Sequence, residues 1–162
     1  MANIRIGHGF DVHAFDSSRK LILGGIEIAE GPGLAGHSDA DVLLHALTDA
    51  ILGASARGDI GQWFPDTDET FKDADSGQLL LEVWKSLSSE GWQLVNCDVV
   101  VMAQTPKLSI YSEKIKARIA KLLSVDVSQI GIKATTTESL GFVGRKEGIA
   151  CSAVCLLSRK LS

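Results

Sequence analysis

The sequence predicts an α/β (α+β) protein: a mixed β-sheet of about four to five strands, helices packed on one face, and the other face turned toward further copies of the chain. Three observations predict it. Glycine-bounded extended stretches alternate with three helical apolar stripes. The long middle stretch and the last one carry apolar residues on both faces, so both sides of the sheet need cover. Three helices suffice for one side only, which leaves the second for a homo-oligomer built sheet to sheet.

Ile4 to Phe10 and Leu21 to Ile28 read as extended, with Gly24 and Gly25 marking a bulge and Gly31-Pro32-Gly33 a turn. Ser38 supplies an N-cap for a first helix, with Asp41 three residues on in the reciprocal position. Val42, Leu43, Leu47, Ala50, Ile51 and Ala54 form its stripe, and Gly58 lies just past its end. Asp59 to Asp75, with Gly, Pro, four further Asp and little periodicity, reads as a loop long enough to carry function. A second helix runs from about Ser76 to Glu90, with Leu79, Leu80, Val83 and Leu87 inward and Gly91 as its stop. Leu94 to Gln104 is a long strand, with Val95, Val99 and Val101 on one face and Leu94, Val100 and Met102 on the other. A third helix begins at Thr105-Pro106, proline taking the first helical position, and its stripe is Leu108, Tyr111, Ile115, Ile119 and Leu122. Ile130 to Thr136 and Ile149 to Leu157 are the last strands. No repeat, low-complexity tract or linker divides the chain, so one domain is expected over residues 1–162.

A chain of 162 residues with 45% hydrophobic content has ample material for one continuous core. Its net charge of -4 argues against a nucleic-acid or anionic-membrane partner, which would need clustered Lys and Arg, so any phosphate site must be local. No apolar run approaches the roughly 20 residues that cross a bilayer, and Met1 to Arg5 lead into a strand-like pattern instead of a signal peptide. Cys97, Cys151 and Cys155 lie in apolar stretches, as buried free thiols of a reducing compartment do. Cys151 and Cys155 in one strand would stand about 13 Å apart, beyond the roughly 7 Å reach of a disulfide.

In Gly9-Phe10-Asp11-Val12-His13 a carboxylate and an imidazole two residues apart point to the same side of an extended backbone, which makes a two-pronged metal arm. His45, on the first helix, would complete a His-His-Asp set suited to zinc with one position left open. Taken singly, each fits an ordinary turn or a partly buried histidine equally well. His37-Ser38-Asp39 puts an imidazole, a hydroxyl and free N–H groups at a positive helix end, where an anion is stabilised, although plain capping would use Ser38 too.

Lys133-Ala134-Thr135-Thr136-Thr137-Glu138 groups a cation, three hydroxyls and a carboxylate at a strand end. The hydroxyls suit phosphate oxygens, and Glu138 would repel those oxygens unless a divalent ion such as Mg²⁺ bridged them. Phe142 and Arg145 sit in a glycine-flanked loop that could frame an anion or be a charged hairpin. Phe64-Pro65-Asp66-Thr67-Asp68 is an acidic turn whose carboxylates could hold sugar hydroxyls.

The ordered set GHGFDVH from Gly7, AGHSDADVLLHAL from Ala35, GDIGQWFPDTD from Gly58, AQTPK from Ala103 and KATTTESLGFVGRKEGIA from Lys133 resembles the 2-C-methyl-D-erythritol 2,4-cyclodiphosphate synthase family over nearly the whole chain. The resemblance implies a CMP-forming lyase of the non-mevalonate isoprenoid pathway, a homotrimer with active sites between subunits and sheets lining the threefold centre. It implies Zn²⁺ on Asp11, His13 and His45, and Mg²⁺ or Mn²⁺ on Glu138 between the α- and β-phosphates. His37 and Thr136 are implied as stabilising catalytic contacts, and Ser38 and Lys133 are counted among the substrate-binding residues. Asp59, Ile60 and Gly61, with Phe64, Pro65, Asp66, Thr67 and Asp68, would hold the methylerythritol part. Ala103, Gln104, Thr105, Pro106, Lys107, Leu108 and Ser109, with Ala134, Thr135, Thr136 and Thr137, would hold the cytidine diphosphate.

Phe142 and Arg145 resemble residues at the trimer axis that can meet an isoprenoid diphosphate. The implied location is the bacterial cytoplasm, or a plastid after loss of a transit peptide. Ala40 stands where the family often has Gly, and Thr105 with Leu108-Ser109 replaces a more usual Ala-Pro-Lys-Met-Leu run. Two other readings are a zinc phosphohydrolase on the same ligands and a non-catalytic trimeric nucleotide- or isoprenoid-binding module.

Overall fold

The computed structural model describes residues 2–160, so Met1 and the last two positions of the expected domain lie outside it. The first strand, β1 (Ala2–Asp16), is longer than its apolar pattern suggested, because its alternation continues through the chemically distinctive Asp11 and His13. Leu21 to Ile28 is not one bulged strand. Gly24 and Gly25, with φ of 62° and 73°, form a two-residue hairpin turn between β2 (Leu21–Leu23) and β3 (Ile26–Ile28), since adjacent left-handed residues reverse the chain instead of bulging it. β4 (Gly33–Leu34) then pairs with the end of β1.

Helix α1 (Val42–Ser55) starts three residues later than expected, for its N-cap is Asp41 and not Ser38. The Asp41 carboxylate accepts the Leu44 N–H and also the N–H groups of Gly24 and Gly25 in the β2–β3 turn, satisfying three donors at once. Burial pushes this carboxyl up to about 6 against the lowering effect of those bonds. Ala40, just before it, adopts a left-handed φ of 56°, the conformation that makes glycine natural there.

The Asp59–Asp75 stretch contains a short helix, α2 (Ile60–Trp63), and a 3₁₀ turn at Glu69–Phe71. Helix α3 (Ser76–Ser89) and strand β5 (Trp92–Met102) follow, close to expectation. A register shift between Leu94 and Asn96 moves Leu94 onto the same covered face as Cys97, Val99 and Val101. Pro106 does not open the third helix: a 3₁₀ turn at Leu108–Tyr111 comes first, and α4 (Ser112–Leu123) begins after it. Then come β6 (Ile130–Thr135), a short helix α5 (Gly141–Gly144) where a loop was expected, and β7 (Gly148–Lys160).

The main sheet has five strands in the order β4-β1-β7-β5-β6, all antiparallel neighbours except β5 and β6. α1, α3 and α4 cover one face and share one core with it. The opposite face carries Ile4, Ile6, Phe10, Val12 and Val154, between 38% and 72% exposed. So many apolar side chains on one uncovered sheet face is far from the scatter of a monomer surface. No helix among the described residues is long and apolar enough to cross a membrane, and Cys97, Cys151 and Cys155 are free and buried.

Candidate active site

Asp11 and His13, two apart on β1, both point to the helix-covered face, where α1 crosses. Two glycines bring the elements unusually close. A Cβ at Gly7 would lie 1.8 Å from the Ala50 carbonyl oxygen, and one at Gly9 would lie 2.0 Å from that of Ala46. Only bare backbone fits there, and the short separation sets His45, in the first turn of α1, against the β1 side chains.

The result is compact. Asp11 Oδ2 lies 2.9 Å from His13 Nε2 and 3.1 Å from His45 Nδ1, and the two ring nitrogens are 3.1 Å apart. Ligands at zinc distances of about 2.0–2.1 Å in a tetrahedral arrangement would stand roughly 3.3 Å apart, so the donor set fits such an ion with little adjustment. Among the described residues this is the one group of three or more such side chains so arranged. The His13 Nδ1–H donates to the Ala35 carbonyl at 2.6 Å, which leaves Nε2 as the free lone pair. Burial would raise the Asp11 carboxyl, but the His13 and His45 imidazoles in their protonated forms hydrogen-bond to it and hold it well below the usual carboxylate range. Burial would lower His13, and Asp11 with the Ala35 carbonyl raises it instead.

A cavity of about 460 Å³ opens beside this cluster, lined by His13, His37, Ser38 and His45 on one side and Ile60, Gly61, Phe64, Pro65 and Asp66 on the other. His37 Nε2 donates to the Asp68 carbonyl at 3.2 Å and so draws the acidic turn toward the cluster. Asp59 caps α2, bonding the backbone and side chain of Gln62, so both its oxygens serve the turn itself. Thr67 and the Asp68 side chain stay exposed, and Asp68 bonds the Thr70 N–H.

A second cavity, of about 230 Å³, is formed by Ala103, Gln104, Pro106, Lys107, Leu108 and Ser109 with Ala134, Thr135 and Thr136. Gln104 accepts the Thr137 N–H and ties the two segments together. Thr105 does not line this cavity, and Lys133 is turned away to pair with Asp98, which lies diagonally across the β5–β6 ladder. Glu138 is exposed at a left-handed φ of 52° and accepts from Thr136 Oγ1 at 3.3 Å. Phe142 is 39% exposed on α5, while Arg145 is paired with Glu147.

The two cavities do not meet. Val12 is aligned with Ala150, Ala150 with Met102, and Met102 with Thr135. Three strand steps therefore separate the metal cluster from the Thr135–Glu138 segment, about 14 Å. A larger cleft, about 720 Å³, lies between Trp84, Trp92 and Leu122. Its nearest β5 residue, Leu94, lies seven residues back along the strand from Val101, which is level with Asp11, roughly 23 Å away, and the cleft holds no group of metal-ligating side chains.

Several contributors escaped the sequence reading. Arg19 donates to the carbonyls of Gly36 and Ser38 and clamps the loop bearing His37. Asp49, one turn beyond His45, accepts the Ile60 N–H and fixes the start of α2; burial raises its carboxyl. Ser76, read only as a helix start, bonds His45. Asp49 shares a helix face with His45 at i,i+4 spacing, which was the available signal; Arg19 and Ser76 left none.

Residues 4–158 match the model of the YgbB family. A 2-C-methyl-D-erythritol 2,4-cyclodiphosphate synthase of Listeria monocytogenes serotype 4b is 58% identical over 156 residues, covering 96% of this chain and 99% of that protein. One from Haemophilus ducreyi is 55% identical over 157 residues, 97% of this chain and 98% of its own. Among solved structures, the bifunctional IspDF from Campylobacter jejuni matches with a TM-score of 0.94 and 48% identity, over 99% of this chain and 43% of that longer one. IspF from Plasmodium falciparum, in a CDP complex, matches with a TM-score of 0.84 and 36% identity over 98% of both chains.

Proposed function

The chain belongs to the YgbB family, and from that premise we propose that it converts 4-diphosphocytidyl-2-C-methyl-D-erythritol 2-phosphate into 2-C-methyl-D-erythritol 2,4-cyclodiphosphate and CMP. It is a phosphorus–oxygen lyase of non-mevalonate isoprenoid biosynthesis, built as one domain over residues 1–162 and working in the bacterial cytoplasm or, after transit-peptide removal, a plastid. The observation that carries the reading is the convergence of Asp11, His13 and His45 on one point beside a cavity.

Asp11, His13 and His45 hold Zn²⁺, and Glu138 holds Mg²⁺ or Mn²⁺. When bound, these cations supply charge neutralisation for the diphosphate. The chain's own residues orient the substrate. Ile60, Gly61 and the Phe64–Asp68 turn hold the methylerythritol hydroxyls. The Ala103–Ser109 and Ala134–Thr137 segments hold the cytidine diphosphate, with backbone groups reading the cytosine edge and Lys107 offsetting phosphate charge. The 2-phosphate oxygen attacks the β-phosphorus in line and CMP leaves, so no side-chain base is required. His37 and Thr136 stabilise charge on the transferring group, and Ser38 donates to a phosphate oxygen.

A diphosphate spans one P–O–P bridge, too short for both cavities of a single chain. Pairing the metal cluster of one copy with the Thr136–Glu138 segment of a neighbour solves the spacing, and a homotrimer assembled through the apolar sheet face would do so three times. Phe142 and Arg145 then stand near the axis, where an isoprenoid diphosphate could lodge. The test is product analysis with the cytidyl substrate and Mg²⁺: CMP plus a cyclic diphosphate is expected. Linear phosphates would point to a hydrolase, and CDP binding without turnover to a binding module.

A further inference from the structure

We propose that Ser76 and Asp39 form a positioning relay that fixes which ring nitrogen of His45 is offered to the cation. The proposal rests on the reading above that Asp11, His13 and His45 hold a divalent ion.

Asp39 acts only as an acceptor. One oxygen takes the Asp41 N–H at 3.1 Å and the Ser76 hydroxyl at 2.5 Å, and the other takes the Ser76 N–H at 3.0 Å. Ser76 is 1% exposed, and its single hydroxyl hydrogen is committed to that carboxylate. What Ser76 Oγ presents to His45 Nε2, 2.9 Å away, is therefore a lone pair. A lone pair there requires the ring hydrogen on Nε2. That leaves Nδ1 bare, and Nδ1 is the atom that stands 3.1 Å from both Asp11 Oδ2 and His13 Nε2.

Ser38 Oγ also lies 3.1 Å from Nε2. It accepts the Ala40 N–H, and its hydrogen has no fixed acceptor, so Ser38 can give or take a bond with the ring and does not choose between the two forms. His13 is oriented more simply, by the Ala35 carbonyl. The two imidazoles are thus aimed by different devices. One uses a rigid backbone oxygen; the other uses a carboxylate acting through a hydroxyl at the start of α3, a helix that contributes no ligand of its own. Outer-shell partners of this kind shift metal affinity about 10–100-fold.

Ser76→Ala removes the hydroxyl while leaving the backbone N–H on Asp39, so the entry to α3 is retained. In chelator competition, zinc affinity of this variant is expected to fall about 10–100-fold, with the thermal midpoint of the metal-free protein little changed. Ser76→Thr, which keeps a hydroxyl, should recover most of the affinity. Long-range ¹H–¹⁵N correlation spectra of the wild type should show the His45 hydrogen on Nε2, and Ser76→Ala should lose that preference. Equal zinc affinity in wild type and Ser76→Ala, or a wild-type His45 hydrogen on Nδ1, would overturn the relay alone. A wild type that takes up no zinc would overturn the ligand set, and the relay with it.

Discussion

At the metal end, three ligating side chains come from β1 and the first turn of α1, locked by glycines against helix carbonyls. At the far end, Thr136 and Glu138 stand exposed on a left-handed bend beyond β6. The first region is finished within one chain: its ligands already lie about 3 Å apart and its histidines are oriented from behind. The second offers hydroxyls and a carboxylate faced only by the Ala103–Ser109 segment, with no metal-ligating group opposite Glu138 among the described residues. The difference teaches that ion binding and turnover would have separate structural requirements on the proposed reading, the one met by a single fold and the other by two.

The largest effect should come from Gly9→Ala. Its methyl would sit 2.0 Å from the Ala46 carbonyl, so α1 must shift; a loss of roughly 3 kcal/mol or more of stability is expected in denaturant titration, together with loss of zinc. The contrasting change at the far end, Gly141→Ala, meets nothing within 4 Å and costs only its φ of 68°, about 1 kcal/mol.

Ile6→Asp places a charge on the uncovered sheet face, at a side chain 72% exposed. Sedimentation should show smaller species whose zinc content is unchanged and whose turnover is lost. Retained activity in a monomer would erase the contrast between the two regions.

His45→Ala should lose zinc and Glu138→Gln should lose its response to Mg²⁺, each nearly inactive alone. Co-refolded in equal amounts, the two should regain about a quarter of wild-type sites if copies mix at random and share sites. No recovery would place both functions in one chain.

A smaller effect concerns pH. The folded protein keeps the Asp41 proton up to about 6, whereas an unfolded chain releases it near 3.8. The folded state thus binds more protons between those values, and this contribution, complete below about pH 4, is lost as pH rises through about 6. Thermal midpoints should fall across that window, and Asp41→Asn should flatten the slope. Least of all, Ala40→Gly should change stability by less than about 1 kcal/mol, because relief of its left-handed φ offsets the loss of a fully buried methyl.

The helical stripes of α1, α3 and α4 were legible because 3.6-residue periodicity is a local property, and Asp11-x-His13 was legible because a two-residue strand spacing is local too. What chose Asp41 over Ser38 as the cap was not local: the N–H groups of Gly24 and Gly25 arrive from the β2–β3 turn. The displaced start of α4 has the same character, since Pro106 fits a first helical position in sequence yet packs into the wall of the second cavity. The packing role of Gly7 and Gly9 was not legible, for nothing nearby in sequence tells that a helix will press on them. The resemblance named both ends of the site but not their separation, which follows from strand order and register.

Cys97 faces Cys155 across the β5–β7 register, and each is 1% exposed on the side sealed by helices. Burial, aided at Cys97 by the neighbouring Cys155 and Asp98, pushes both thiols up to about 12, so neither supplies a reactive thiolate at ordinary pH. The chain therefore carries an internal clock for its own opening. A thiol-reactive chromophore can label these positions only as fast as the helical layer lifts, and a zinc-loaded sample should tick more slowly than a stripped one, because a cation held by Asp11, His13 and His45 would strap α1 to β1.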